Sequence, residues 1–293
     1  MKKIQFTFEN NLQELNLDTL KRTYKEETVL GEALNGIHHY EAIERIQQLL
    51  DKHSLKYELH KMFAAQNSSK KEPAVVINPR LEQEFGKGSP EAHVLRRVYT
   101  TMHISNGETE ETTTGLVISF NNNGLQFAIG PNVKICTNQC ILSASRMVST
   151  YGTNGIKEMD KVFDVVDDWM HNFNEHREQD LKVIEMMKTI KVPYQRTMEL
   201  IGRLNVMRVL HDTTNVRLRE KAPKDYPLNQ GQISSFTEDF LKHCLTTEKP
   251  DHSLWEIYNL ATELYKPGVT DIPNIISQGV VWSQFLINEF GLN

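Results

Sequence analysis

Four residues, Asn121-Asn122-Asn123-Gly124, stand between two apolar runs, Gly115–Phe120 and Leu125–Ile129. A tight hairpin turn needs positive φ at its central positions, which Asn and Gly tolerate at little steric cost. The two runs are therefore expected as neighbouring antiparallel strands. Other strand signals lie close by. Ala74–Ile77 is a short apolar run stopped by Asn78-Pro79, and Val94–Ser105 alternates through Val98, Thr100, Met102 and Ile104. Asn106-Gly107 marks the next turn, followed by a polar tip over 108–114. Together these segments predict a small antiparallel sheet over residues 74–142.

The flanks carry the other period. Ile43, Ile46, Leu49 and Leu50 are spaced as one face of a helix within Ile37–Lys56, whereas Tyr57–Ala65 fits strand or helix equally well. Residues 66–73 read as a loop that Pro73 keeps from being helical. From Gly155 to Lys191, apolar residues recur at Met159, Val162, Phe163, Val166, Met170, Phe173, Leu181, Ile184 and Met187. That spacing predicts one long amphipathic helix ended by Pro193. Further helices are expected over Thr197–Leu210, Ile233–Leu245, Leu254–Tyr265 and Ile275–Phe290. The expected fold class is α+β, with a small antiparallel sheet in mid-chain, a mainly helical N-terminal region and a helical C-terminal half. The expected divisions are a helical region 1–72, a β-rich unit 73–150 and a helical domain 151–293.

A formal net charge of -5 over 293 residues argues against a dedicated DNA-coating protein, whose footprint is a basic domain. It is also too mild for a carboxylate-dense mimic of DNA. Three cysteines imply no disulfide framework. The N-terminus lacks the apolar core of a signal peptide, and no run reaches roughly 18 apolar residues. A soluble chain of the cytoplasm, without membrane contact, is the expectation.

Chemistry is harder to find. Cys136 and Cys140 form a Cys-x3-Cys pair, and His243-Cys244 follows later. A tetrahedral zinc site needs two close pairs that converge, but adjacent side chains on a helix diverge by about 100 degrees. No metal, cofactor or catalytic residue is therefore expected, and packing is the simpler role for the cysteines. Asp164, Asp167, Asp168 and His171 are spaced to hold a divalent ion, yet a solvated helix face has the same spacing. Gly86-Lys87-Gly88-Ser89 lacks the glycine spacing of a phosphate loop. Arg196, Arg203, Arg208, Arg217 and Arg219, interleaved with Tyr194 and Tyr226, form a stripe that would contact a nucleic-acid backbone if it converged on one groove. Trp169, Met170 and Phe173 are candidate self-association contacts on the long helix, with a place in the chain's own core as the alternative.

Two motifs carry a resemblance. One is the strand that runs from Phe127 into the turn Cys136-Thr137-Asn138, within the block 127–141. The other is the helix Ser253-x-Trp255-x-x-Tyr258-Asn259-x-x-Thr262-Glu263. Together they resemble an uncharacterised phage/plasmid-like family of mobile elements, over about the last 180 residues. In length, start and layout the chain is also similar to Gabija anti-defence proteins of phages. That resemblance implies a homo-oligomeric, non-enzymatic protein of the host bacterial cytoplasm. Its partner would be a host defence complex, the Gabija nuclease with its helicase-like subunit, blocked from DNA by stoichiometric protein binding. The alternative implied is a nucleic-acid-binding maintenance protein of a phage or plasmid.

Overall fold

The computed structural model describes residues 12–24, 39–65, 75–77, 83, 86–87, 93–95, 98–108, 112–121, 124–133, 147–149, 156–222, 226–247, 251–265 and 272–292. The fold is α+β. The chain divides into two compact units, one of residues 1–129, 146–174 and 267–273, the other of 130–145, 175–266 and 274–293.

The first unit is built on the sheet. Its strands are β1 (Leu12–Glu14), β2 (Tyr57–Ala65), β5 (Val98–Ile104), β6 (Thr112–Asn121), β7 (Gly124–Val133) and β8 (Met147–Ser149), in the spatial order β1-β2-β5-β6-β7-β8. β3 (Val75–Ile77) and β4 (His93–Leu95) pair separately. The Asn-Gly signal at 121–124 thus joins two sheet neighbours, β6 and β7. Between β5 and β6, Gly107 adopts φ 69°, a conformation that costs a glycine nothing. The sheet is wider than the 74–142 segment: β1 and β2 come from the N-terminal third. Tyr57–Ala65 resolves as a strand because its partner β5 is in reach, with Phe63 opposite Tyr99 and Met62 opposite Thr100. The expected strand over Val94–Ser105 is divided, with its first part in β4 and the rest in β5.

Period-two alternation places Val98, Met102 and Ile104 of β5 in one apolar cluster with Leu116 and Ile118 of β6 and Leu125, Phe127 and Ile129 of β7. Met102 lies opposite Leu116, and Thr100 opposite Ile118. Three helices contribute most of the rest of that cluster, with Phe173 added from a fourth. They are α1 (Leu17–Tyr24) through Leu20, α2 (His39–Lys52) through Ala42, Ile43, Ile46 and Leu50, and α3 (Ile156–His171) through Val162, Phe163, Val166, Trp169 and Met170. Phe163 meets Phe127 edge-on at 5.6 Å, and the Arg45 guanidinium lies 4.1 Å over its ring. α3 is therefore part of the sheet's core rather than the start of a helical domain at residue 151.

The long helix expected from Gly155 to Lys191 is two helices, α3 and α4 (Phe173–Thr189), separated at Asn172. The Asn172 side chain donates to the Asp168 carbonyl at 3.1 Å, alongside its own backbone N–H at 3.1 Å. Such back-bonding offers the chain an alternative to continuing the helix. The break also serves packing: Trp169, Met170 and Phe173 belong to the first unit's cluster, while Ile184 and Met187 belong to the second's. This corrects the self-association reading of Trp169, Met170 and Phe173. All three are buried in the chain's own core, with Trp169 and Phe173 edge-to-face at 5.5 Å.

Across the first unit, Asp167 of α3 accepts from Lys52 Nζ at 2.7 Å and meets His53 Nε2 at 2.6 Å. Lys52 first, then His53, hold its carboxyl below the ordinary carboxylate range. A depressed carboxylate stabilises the fold above its unfolded pKa and loses that contribution as pH falls through the lower folded value. Asp167→Asn is expected to cost about 0.5–1 kcal/mol at neutral pH, the magnitude for a partly exposed pair. The cost should vanish in acid below the usual aspartate range, as read by urea unfolding at the two pH values. A cost unchanged in acid would contradict the assignment.

The second unit is helical. After α4 come β9 (Lys191–Pro193), α5 (Tyr194–Asp212), α6 (Val216–Arg219), α7 (Gln230–Thr247), β10 (Asp251–Ser253), α8 (Leu254–Thr262), a 3-10 turn (Glu263–Tyr265) and α9 (Ile272–Phe290). β9 and β10 pair antiparallel, with His252 opposite Val192. The core combines Leu200 and Leu204 of α5, Phe236 and Phe240 of α7, Leu254, Ile257 and Tyr258 of α8, and Trp282 and Leu286 of α9. Trp282 Nε1 donates to the Tyr258 carbonyl at 3.3 Å, and Tyr265 Oη donates to the Pro227 carbonyl at 3.0 Å, so both large side chains keep their polar ends satisfied.

α8 explains the second of the two motifs physically. Ser253 Oγ accepts from the Glu256 N–H at 3.1 Å while Glu256 Oε2 accepts from the Ser253 N–H at 2.7 Å, a reciprocal capping box. Trp255 stacks on Tyr258 at 5.3 Å, and Tyr258 and Thr262 are buried. Among the described residues, no helix is long and apolar enough to cross a membrane.

Candidate functional site

Two arrangements in the second unit combine exposure or chemistry with defined geometry. The first is the surface of α5 and α6. The sequence places five arginines here, and the fold uses three of them locally. Arg196 donates to Glu199 at 3.0 Å and to Glu289 of α9 at 2.6 Å, and Arg203 also pairs with Glu289. Glu289 itself is only 8% exposed, so two guanidiniums share one sheltered carboxylate. Arg208 pairs with Asp212 one turn on, at 3.3 Å. Arg196, Arg203, Glu289 and Phe285 line an open groove of about 890 Å³. Its charges are already matched, so a phosphate entering it would compete with Glu199 and Glu289.

Arg217 and Arg219 differ. They sit on α6, a single exposed turn capped by Asn215, whose Oδ1 accepts from the Leu218 N–H at 3.3 Å. Neither makes an ion pair among the described residues. On the same two helices, Val206 and Val209 of α5 and Val216 and Leu218 of α6 are exposed, Val216 at 68%. The stretch 206–219 therefore presents apolar side chains and two cations to solvent.

The second arrangement lies where α7 meets β10 and α8. His252 is fully buried, with Phe240 at 5.3 Å and His243 at 4.9 Å between ring centroids. Cys244 Sγ is 3.3 Å from His252 Nε2. Ligand atoms of His243, His252 and Glu256 all lie within 4.8 Å of one another. Burial pushes the Cys244 thiol up, which keeps it protonated and a poor nucleophile despite the imidazole beside it. His252 and Glu256 are absent from the sequence reading. The available signal was His-x3-Glu, with the histidine just ahead of a Ser-x-x-Glu helix start.

A third cluster, in the first unit, joins Glu58, His60 and His103. Their rings stack at 4.1 Å, with His60 at a bulge in β2. Burial, then the neighbouring His103, lower the His60 pKa and favour its neutral form.

Other sequence candidates are placed plainly. Asp167 is taken by Lys52 and His53, while Asp164 and Asp168 are exposed. Cys136 and Cys140 lie outside the described residues. Comparison of the chain with protein-family models, with curated proteins and with solved structures gives no match.

Proposed function

We propose that this chain works by binding another protein, as a phage-encoded inhibitor that occupies a host anti-phage defence complex of the Gabija type in the bacterial cytoplasm. The observation that supports protein binding is that Val206, Val209, Val216 and Leu218 are exposed within the stretch of chain that also carries Arg217 and Arg219. Arginine is enriched at protein interfaces, and exposed apolar side chains gain from leaving water when a partner covers them. The choice of target rests on the sequence resemblance alone.

The nucleic-acid alternative is less well supported, because Arg196, Arg203 and Arg208 spend their charge on Glu199, Glu289 and Asp212. Co-purification from a host carrying the defence complex tests the reading directly. The wild-type chain is expected to retain the nuclease and helicase-like subunits. Val209→Asp combined with Val216→Asp should weaken that retention at least about 30-fold, the loss of one strong hot spot. Capture that is equal for both proteins would remove the stretch from the interface. Submicromolar DNA affinity with a steep salt dependence would overturn the reading in favour of a nucleic-acid-binding protein.

The multivalent form of this inhibitor gains because a second linked contact becomes intramolecular. Light scattering is then expected to show a dimer or larger species at micromolar concentration. A monomer would leave a one-to-one binder.

A further inference from the structure

We propose that His243, His252 and Glu256 form a binding site for one divalent transition-metal ion of the zinc class. The three residues come from different parts of the second unit: His243 from the last turns of α7, His252 from β10 and Glu256 from the first turn of α8. The convergence follows from backbone structure. β10 is held by β9, with His252 opposite Val192, and the Ser253–Glu256 capping box fixes the glutamate at the third position of α8. Glu256 Oε2 accepts from the Ser253 N–H at 2.7 Å in that cap, which holds the carboxylate in place.

The donor chemistry selects the ion. Calcium and magnesium require mostly oxygen ligands. Two imidazoles with one carboxylate suit zinc, which is held by such three-residue sets with a further position open. Bonds of about 2.0–2.2 Å put tetrahedral ligand atoms roughly 3.4 Å apart. The present separations, within 4.8 Å, reach that by small side-chain rotations. The Cys244 thiol at 3.3 Å and the Phe240 ring at 5.3 Å confine the His252 imidazole, which reduces what binding must order. The ion would tie α7 to the start of α8, independently of any partner protein.

The test uses the full chain, freed of metal by a chelator and titrated with Zn²⁺. Binding is measured by calorimetry, and unfolding is followed with and without the ion. The wild type is expected to take up a zinc equivalent that His243→Gln loses, with affinity falling more than about 100-fold, beyond what loss of a mere ligand-orienting group costs. Zn²⁺ should raise the unfolding midpoint of the wild type and leave that of His243→Gln unmoved. Glu256→Gln keeps an oxygen for the helix cap and should lose the same equivalent. That second variant serves should His243→Gln fail to fold. His60→Gln, in the other histidine cluster, should retain it. No zinc uptake by the wild type at micromolar concentration would overturn the site, and so would unchanged uptake by both cluster variants.

Discussion

Replacing Trp282 with alanine is expected to cost about 3–5 kcal/mol, the range for deleting a large buried aromatic. Trp282 is fully buried at the centre of the second unit, with the Phe236 ring at 6.0 Å edge-on and the Phe285 ring stacked at 5.8 Å. Truncation leaves a cavity that three helices, α7, α8 and α9, would have to collapse into. It also strips the Tyr258 carbonyl of the indole donor at 3.3 Å. Hydrogen exchange localises the loss: amides of α7 and α8 should become about 100-fold or more less protected, since each 1.4 kcal/mol is tenfold. Trp282→Phe, which keeps most of the volume but no indole N–H, should lose clearly less. Equal protection in the alanine variant and the wild type would mean that Trp282 is not a core residue.

The second large effect is expected at Phe163, in the other unit. Its ring bridges the helix and the sheet, edge-on to Phe127 and covered by the Arg45 guanidinium, which in turn pairs with Asp160 at 2.7 Å. Phe163→Ala should destabilise by about 3–5 kcal/mol, the aromatic pair and the burial being lost together. The loss of exchange protection is expected in β5, β6 and β7 although the substitution is on α3. A variant that loosened α3 and left the sheet amides unchanged would contradict the shared core. Arg45→Ala, which removes only the guanidinium from the ring's outer face, should cost no more than about 1 kcal/mol by comparison.

Local signals carried most of the element assignments. The pairing of β6 with β7, signalled by Asn-Gly, and the helical spacing of Ile43, Ile46 and Leu50 were readable because a short stretch of chain sets each of them. What sequence left open depends on distant partners. Tyr57–Ala65 becomes a strand only because β5, some forty residues later, supplies its hydrogen-bonding edge. The break at Asn172 was hidden for a similar reason: the apolar period runs through it, and only the existence of two cores makes an interruption favourable. Arg196 and Arg203 looked like a free basic stripe because their counter-charge, Glu289, is 93 and 86 residues away in the chain. His252 and Glu256 escaped notice because the third member of their cluster, His243, is on another helix. In each case the residue types were visible and the long-range pairing was not.

The first unit's division into separate stretches of chain has a consequence for how the protein is made. Its sheet ends on β8, and its core is closed by α3, both of which follow residues 130–145 of the other unit. On the ribosome, β1 to β7 emerge with the apolar face of Met102, Leu116, Ile118 and Phe127 still lacking Val162, Phe163 and Val166. A polypeptide cut after residue 150 would never receive those three side chains and would leave part of that face open, so such fragments should aggregate more readily than those extending past Phe173.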